Sequence, residues 1–131
     1  MRLLLDTHIL IWAAGNDPQL GSTARDLIAD PSNEKLVSAV SILEVAIKRA
    51  LKPRPATAVP MSAAELISWC EQADVTLLPV EPSHAAAVED LPPLLGDPFD
   101  RLLVAQALQE PLRLLTRDRA LAAYSDMVIV V

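Results

Sequence analysis

The chain alternates short apolar runs with segments whose apolar residues recur at helical spacing, and that alternation narrows the fold more than any other feature. Arg2-Leu3-Leu4-Leu5 is a strand-like run that stops at Asp6, and Ile9, Leu10, Trp12 and Ala13 follow on a helical face. Further strands are expected over Lys35–Ser38, Val75–Leu78, Leu112–Leu115 and Met127–Val131. Between them, helices are expected over Ser22–Ala29, from Ser41 to about Lys52, over Ser62–Ala73, in a short piece from His84 to Leu91, from Asp97 to Pro111, and after Asp118. Breakers set the boundaries: Gly15-Asn16-Asp17-Pro18, Asp30-Pro31, the Pro53, Pro55 and Pro60 loop, and Pro111. Strands separated by helices indicate βαβ units, hence an α/β fold with a largely parallel sheet covered on both faces.

A chain of 131 residues, 52% hydrophobic and 21% charged, suits one domain spanning 1–131 with a substantial core. No apolar run approaches the roughly 20 residues needed to cross a bilayer, so no membrane span is expected. Cys70 stands alone and an acid at Asp6 interrupts the first apolar run, which together suggest a cytoplasmic protein without a disulfide. The net charge of −6 argues against a general nucleic-acid binder, because phosphate binding relies on lysine and arginine. Something has to offset the acids.

In an open parallel sheet, ligands bind beyond the carboxyl ends of the strands. Asp6 follows the first strand, Asp118 follows the fourth, Glu44 falls in the first turn expected after the second, and Asp97 and Asp100 open a long helix. All five map to that edge. Each also has a simple structural reading, since acids favour helix starts. Asp97 before Pro98 has the pattern of an N-cap, and Ser41-Ile42-Leu43-Glu44 that of a capping box. Together they are harder to explain away, because unit charges about 4 Å apart repel by roughly 4 kcal/mol at an effective dielectric of 20. A cation or shared protons would relieve this. Oxygen donors suit Mg²⁺ or Mn²⁺, and the isolated His8 and His84 give no zinc pattern. Magnesium keeps several waters and takes a few carboxylates plus phosphate, which points to hydrolysis of a phosphodiester.

Four segments carry a resemblance: Leu-Leu-Leu-Asp-Thr-His at 3–8, Ser-Ile-Leu-Glu-Val at 41–45, Asp-Pro-Phe-Asp-Arg-Leu-Leu-Val-Ala-Gln-Ala at 97–107, and Leu-Leu-Thr-Arg-Asp at 114–118. The chain resembles a PIN-domain nuclease of the VapC toxin type over essentially its whole length. The resemblance implies a three-layer fold with about five parallel strands, and a Mg²⁺-dependent endoribonuclease acting on RNA. It also implies a cognate VapB-type antitoxin that occupies or distorts the acidic site. Asp6, Glu44 and Asp100 match the three core acids, Asp118 matches a fourth and more variable one, and Thr116 resembles a supporting hydroxyl near the metal. Asp97 and Asp100 share a helix face, and the site acid is taken as Asp100 with Asp97 as its cap. Many relatives carry a histidine just before this block, where this chain has Leu94-Leu95-Gly96. A homodimer is expected from the resemblance and the apolar content.

Lys48, Arg49, Lys52 and Arg54 form the main basic cluster, either a path for phosphate or a solvated helix end. Arg101, Arg117 and Arg119 flank the acids and are expected to pair with them. Aromatic residues are only 3% of the chain, so stacking of many bases is not expected, and Trp12 and Trp69 are read as packing residues. His8 is close enough to Asp6 to serve the site or merely to pack. Other acidic-crevice enzymes fit less well: a haloacid-dehalogenase-like phosphatase needs an acid where His8 stands, and a receiver domain needs a lysine after its last strand. The non-enzyme alternative is a catalytically inert PIN-like module that binds a partner protein.

Overall fold

The computed structural model describes residues 1–51, 59–94 and 96–131. Its strands are β1 (Arg2–Leu5), β2 (Glu34–Ser38), β3 (Thr76–Leu78), β4 (Arg113–Thr116) and β5 (Val128–Val130). They form one sheet in the order β3-β2-β1-β4-β5, and every pairing is parallel. The helices are α1 (Thr7–Ala14), α2 (Ser22–Ala29), α3 (Ala39–Leu51), α4 (Ala63–Gln72), α5 (Pro82–Ala87) and α6 (Pro98–Gln109).

Successive side chains of a strand point to opposite faces, and here both faces are apolar. Leu3, Leu5, Val37 and Leu115 meet Ile9 and Leu10 of α1, Ala24 of α2, Val45 of α3, and Leu66 and Cys70 of α4. Leu4, Leu36 and Leu114 meet Val40 of α3, Leu103, Val104 and Ala107 of α6, and Leu121. The expected three-layer α/β/α arrangement is therefore present. Trp12 and Trp69 pack, half-buried, against the first layer, as expected of them. Among the described residues no helix is long and apolar enough to cross a membrane.

Three helices differ from expectation, the short piece expected from His84 to Leu91 being α5 followed by a 3₁₀ turn, Val88–Asp90. The chain after Asp118 forms a 3₁₀ segment, Arg119–Ala123, because it must turn back into β5 within a few residues and 3₁₀ geometry suits short pieces. The helix expected to open at Ser41 begins at Ala39, directly off β2. Ser38 meets its first free amides: the hydroxyl accepts from Val40 N at 3.1 Å and donates to Gln106 of α6. Ser41 therefore lies inside the helix and Glu44 in its second turn. The Pro53 and Pro55 part of the loop lies outside the described residues.

β1 lies at the centre of the sheet and Leu4 is fully buried there. Leu4→Ala is expected to lower the unfolding free energy by about 2–5 kcal/mol in urea denaturation, through lost burial and the cavity left behind.

Candidate active site

The strand order places β1 beside β4, and the chain leaves these two strands for opposite faces of the sheet, through α1 on one side and Leu121 on the other. A crevice opens where such connections diverge. Here it is a cleft of ≈ 290 Å³ lined by Asp6, Glu44, Asp97, Asp100 and Asp118, together with Thr7, His8, Lys48 and Arg117. The five acids separated in sequence thus meet at one place.

Asp6 is the most firmly held. Its amide bonds Leu115 O at 3.0 Å, which extends the β1–β4 ladder by one residue. Its side chain caps α1: Oδ1 accepts from Thr7 N at 2.7 Å, and Oδ2 accepts from Thr116 Oγ1 at 2.6 Å. Thr116, fully buried, also accepts from Asp118 N at 3.0 Å, so one hydroxyl sets two of the acids relative to each other. Burial raises the Asp6 carboxyl above its ordinary range, opposed by the bonds from Thr116 and Thr7 and by His8, while the Glu44 charge raises it further.

Glu44 is not the capping partner that the Ser41 spacing suggested, since α3 starts earlier. Its Oε1 lies 2.8 Å from Thr7 Oγ1, and its Oε2 pairs with Lys48 Nζ, one turn on, at 2.8 Å. Thr7 Oγ1 is also 2.9 Å from Ser41 Oγ. Because a carboxylate can only accept, the single Thr7 proton goes to Glu44 and Ser41 supplies the proton of the second contact. Thr7 and Ser41, passed over as functional residues in the sequence, thus orient one acid of the cleft. The spacing of Glu44 and Lys48 along a helix was the available signal for their pairing.

Asp97 caps α6 as expected, with Oδ1 accepting from Phe99 N at 2.9 Å and Asp100 N at 3.4 Å. Asp118 caps the 3₁₀ segment through Ala120 N at 3.0 Å. The Asp100 carboxyl has no hydrogen-bond or ion-pair partner among the described residues. Its carboxyl is pushed up to about 7, by burial first and then by the charges of Asp97, Asp6, Glu44 and Asp118. One group thereby registers all the other acids.

The cations are placed differently from expectation. Lys48 faces the cleft but is paired with Glu44, and Arg49 donates to Val59 O. Both are thus engaged within the protein, and Lys52 and Arg54 lie outside the described residues. Arg101 donates to the carbonyls of Pro92 and Val88 and to the Tyr124 hydroxyl. Arg117 donates to Gln19 O at 2.6 Å and lies over the Trp12 ring, 5.4 Å from its centroid. Arg101 and Arg117 thus make no ion pair with the acids among the described residues. Backbone carbonyls between Val88 and Pro92 claim Arg101, and the Trp12 face and Gln19 O hold Arg117.

Among the described residues no three Asp, Glu, His or Cys side chains converge on a single ion position. The five acids still fit a hard divalent cation: they offer oxygen donors, their mutual repulsion shows in the raised Asp100 carboxyl, and they ring a space large enough for the waters such an ion retains.

A parallel α/β domain that collects its acids beyond the carboxyl ends of β1 and β4 is one class of protein, and the comparisons place the chain within it. The PIN domain family model matches residues 3–127. The chain is 34% identical over 125 residues to Ribonuclease VapC22 of Mycobacterium tuberculosis, covering 93% of this chain and 91% of that protein. Its fold is similar to a chain in the crystal structure of VapBC2 from Rickettsia felis bound to a promoter DNA fragment, with a TM-score of 0.68, 14% identity, and coverage of 100% and 98%. It is also similar to a chain of a toxin-antitoxin complex from Klebsiella pneumoniae, with a TM-score of 0.61, 18% identity, and coverage of 98% and 96%. The chain belongs to the PIN-domain family.

The raised Asp100 carboxyl has a consequence for stability. Between the ordinary aspartate value of 3.8 and about 7, the folded protein holds a proton that the unfolded chain has released, so stability declines as pH rises through that window. In EDTA the melting temperature is expected to fall from pH 5 to pH 8, with a shallower fall in Asp100→Asn. An equal slope in the two proteins would contradict the crowding of charge at Asp100.

Proposed function

We propose that this chain is an endoribonuclease, the toxin of a toxin-antitoxin pair, hydrolysing RNA phosphodiester bonds with a divalent cation at Asp6, Glu44, Asp100 and Asp118. The observation that carries this reading is the convergence of these acids with Asp97 on one cleft, where Asp100 feels all of them. The likeness to Ribonuclease VapC22 across 93% of the chain supports RNA as the substrate. Mg²⁺ is the proposed ion and Mn²⁺ the substitute, on the chemistry of oxygen donors.

When bound, the cation supplies positive charge to the phosphate and acidifies a water. The residues of the chain do the rest. Thr116 and the Thr7 amide hold both Asp6 oxygens, and Thr7 and Lys48 hold the two oxygens of Glu44. Asp97, bonded to the amides of the α6 start, fixes the turn from which Asp100 projects. Among the described lining residues Thr7 has the lone hydroxyl and its proton is committed to Glu44, so water is the nucleophile rather than a side chain.

The same proposal takes residues 1–131 as one domain, since a single sheet draws strands from near both ends of it. It includes a VapB-type antitoxin partner, supported by the toxin-antitoxin complexes of similar fold, as well as a homodimer and a cytoplasmic location.

The test is incubation with total cellular RNA in Mg²⁺, Mn²⁺ or EDTA, followed by sequencing of the new ends. Cleavage is expected to need metal and to fall at least about 100-fold in Asp6→Asn or Asp100→Asn with the fold retained. Thr116→Val, which leaves every acid in place, is expected to lose roughly 10- to 100-fold through a misoriented Asp6. A folded Asp6→Asn protein that cuts at the normal rate would remove the assigned site. A folded wild-type chain that neither cuts RNA nor binds metal would be an inert partner-binding module instead.

A further inference from the structure

Five acids and one committed lysine make the cleft hostile to a polyanion, so a strand brought to it needs a cation free of those acids. Among the described residues that line it, Arg117 is that cation. It lines the cleft, is exposed, and has its guanidinium anchored by Gln19 O and the Trp12 face rather than by a carboxylate. On the same ring, His8 packs at 5.8 Å between centroids, tilted by 36°, and it too is exposed and lines the cleft. Trp12 therefore joins an arginine and an imidazole into one wall of the acidic cleft. Trp12 itself lines a second cleft of ≈ 510 Å³, together with Asn16, Asp17, Gln19 and Pro60.

We infer that this wall is the binding site for the RNA nucleotide next to the bond being cut: Arg117 takes its phosphate, and its base packs against Trp12 in the second cleft. The inference rests on the ribonuclease reading and adds the residues that position the substrate. An aromatic face accepts any base, and an arginine held on such a face stays charged and oriented for phosphate oxygens. His8 is a positioning residue here, bracing the Trp12 ring from the side of the acids. The scarcity of aromatic residues fits a single stacking platform rather than an extended one.

The experiment uses a Trp69→Phe chain, whose sole tryptophan is Trp12, and a short random-sequence single-stranded RNA in EDTA. RNA is expected to quench the Trp12 fluorescence as it binds. Trp12→Leu, followed with labelled RNA, is expected to bind about 5- to 100-fold more weakly. Arg117→Gln is expected to reduce the slope of log Kd against log salt by about 0.7, the share of one phosphate on a single strand, and Arg117→Lys to restore it. In cleavage assays with metal, these variants are expected to raise KM far more than they lower kcat. The inference is overturned if RNA binds without affecting Trp12 and the Arg117→Gln slope equals that of the parent, even where melting temperatures fall. The wall would then be only a strut between α1 and β4, and the ribonuclease reading would stand. RNA neither bound nor cut by the parent chain would remove both.

Discussion

The structure depends on the mutual repulsion of carboxylates gathered around one cleft. Asp6, Glu44 and Asp118 come from different elements and Asp97 and Asp100 together from the start of α6, and each would move apart from the others if its backbone allowed. What prevents this is a stiff frame. The apolar residues of β1 and β4 are buried on both faces of the sheet, and the acids start where that burial ends.

Local bonds then set the directions of the carboxylates. Asp6, Asp97 and Asp118 each accept from amides at the start of a helical segment, where the partial positive charge offsets part of their repulsion. Thr116 and Thr7 act as short polar links between strand ends and helices, each tying an acid to a different element. Glu44 pairs with Lys48, the only lysine among the described residues of the cleft. The Asp100 carboxyl is left without a partner among the described residues, and burial and the charges of the other four acids all raise it.

A second polar cluster steadies the frame away from the cleft. Gln106, fully buried on α6, accepts from Ser38 at the end of β2 and donates to Pro79 O at 3.2 Å. His84 beside it accepts from Glu81 N at 2.9 Å through Nδ1 and faces Glu110 through Nε2 at 2.6 Å. Nδ1 thus acts as an acceptor and Nε2 carries the proton, a complete set of bonds for a neutral imidazole. These contacts lock α5 and α6 to the sheet, and α6 is the helix that carries Asp97 and Asp100.

Much of this was legible in the sequence because it is local. Apolar periodicity, the breakers and the position of each acid just past a strand or at a helix start follow from neighbours a few residues apart, and they determined the α/β class and the edge where the acids collect. The capping-box pattern at Ser41 misled because the same residue types are accommodated inside a helix, and only the direct passage from β2 into α3 decides between the two. Tertiary structure alone decided that Thr116 meets Asp6 across 110 positions, that Thr7 meets Glu44 across 37, and that Arg117 leaves the acids for Trp12 and Gln19, 98 positions away. Such contacts depend on which strands lie side by side and on which faces their connections take, and no short stretch of sequence carries that information.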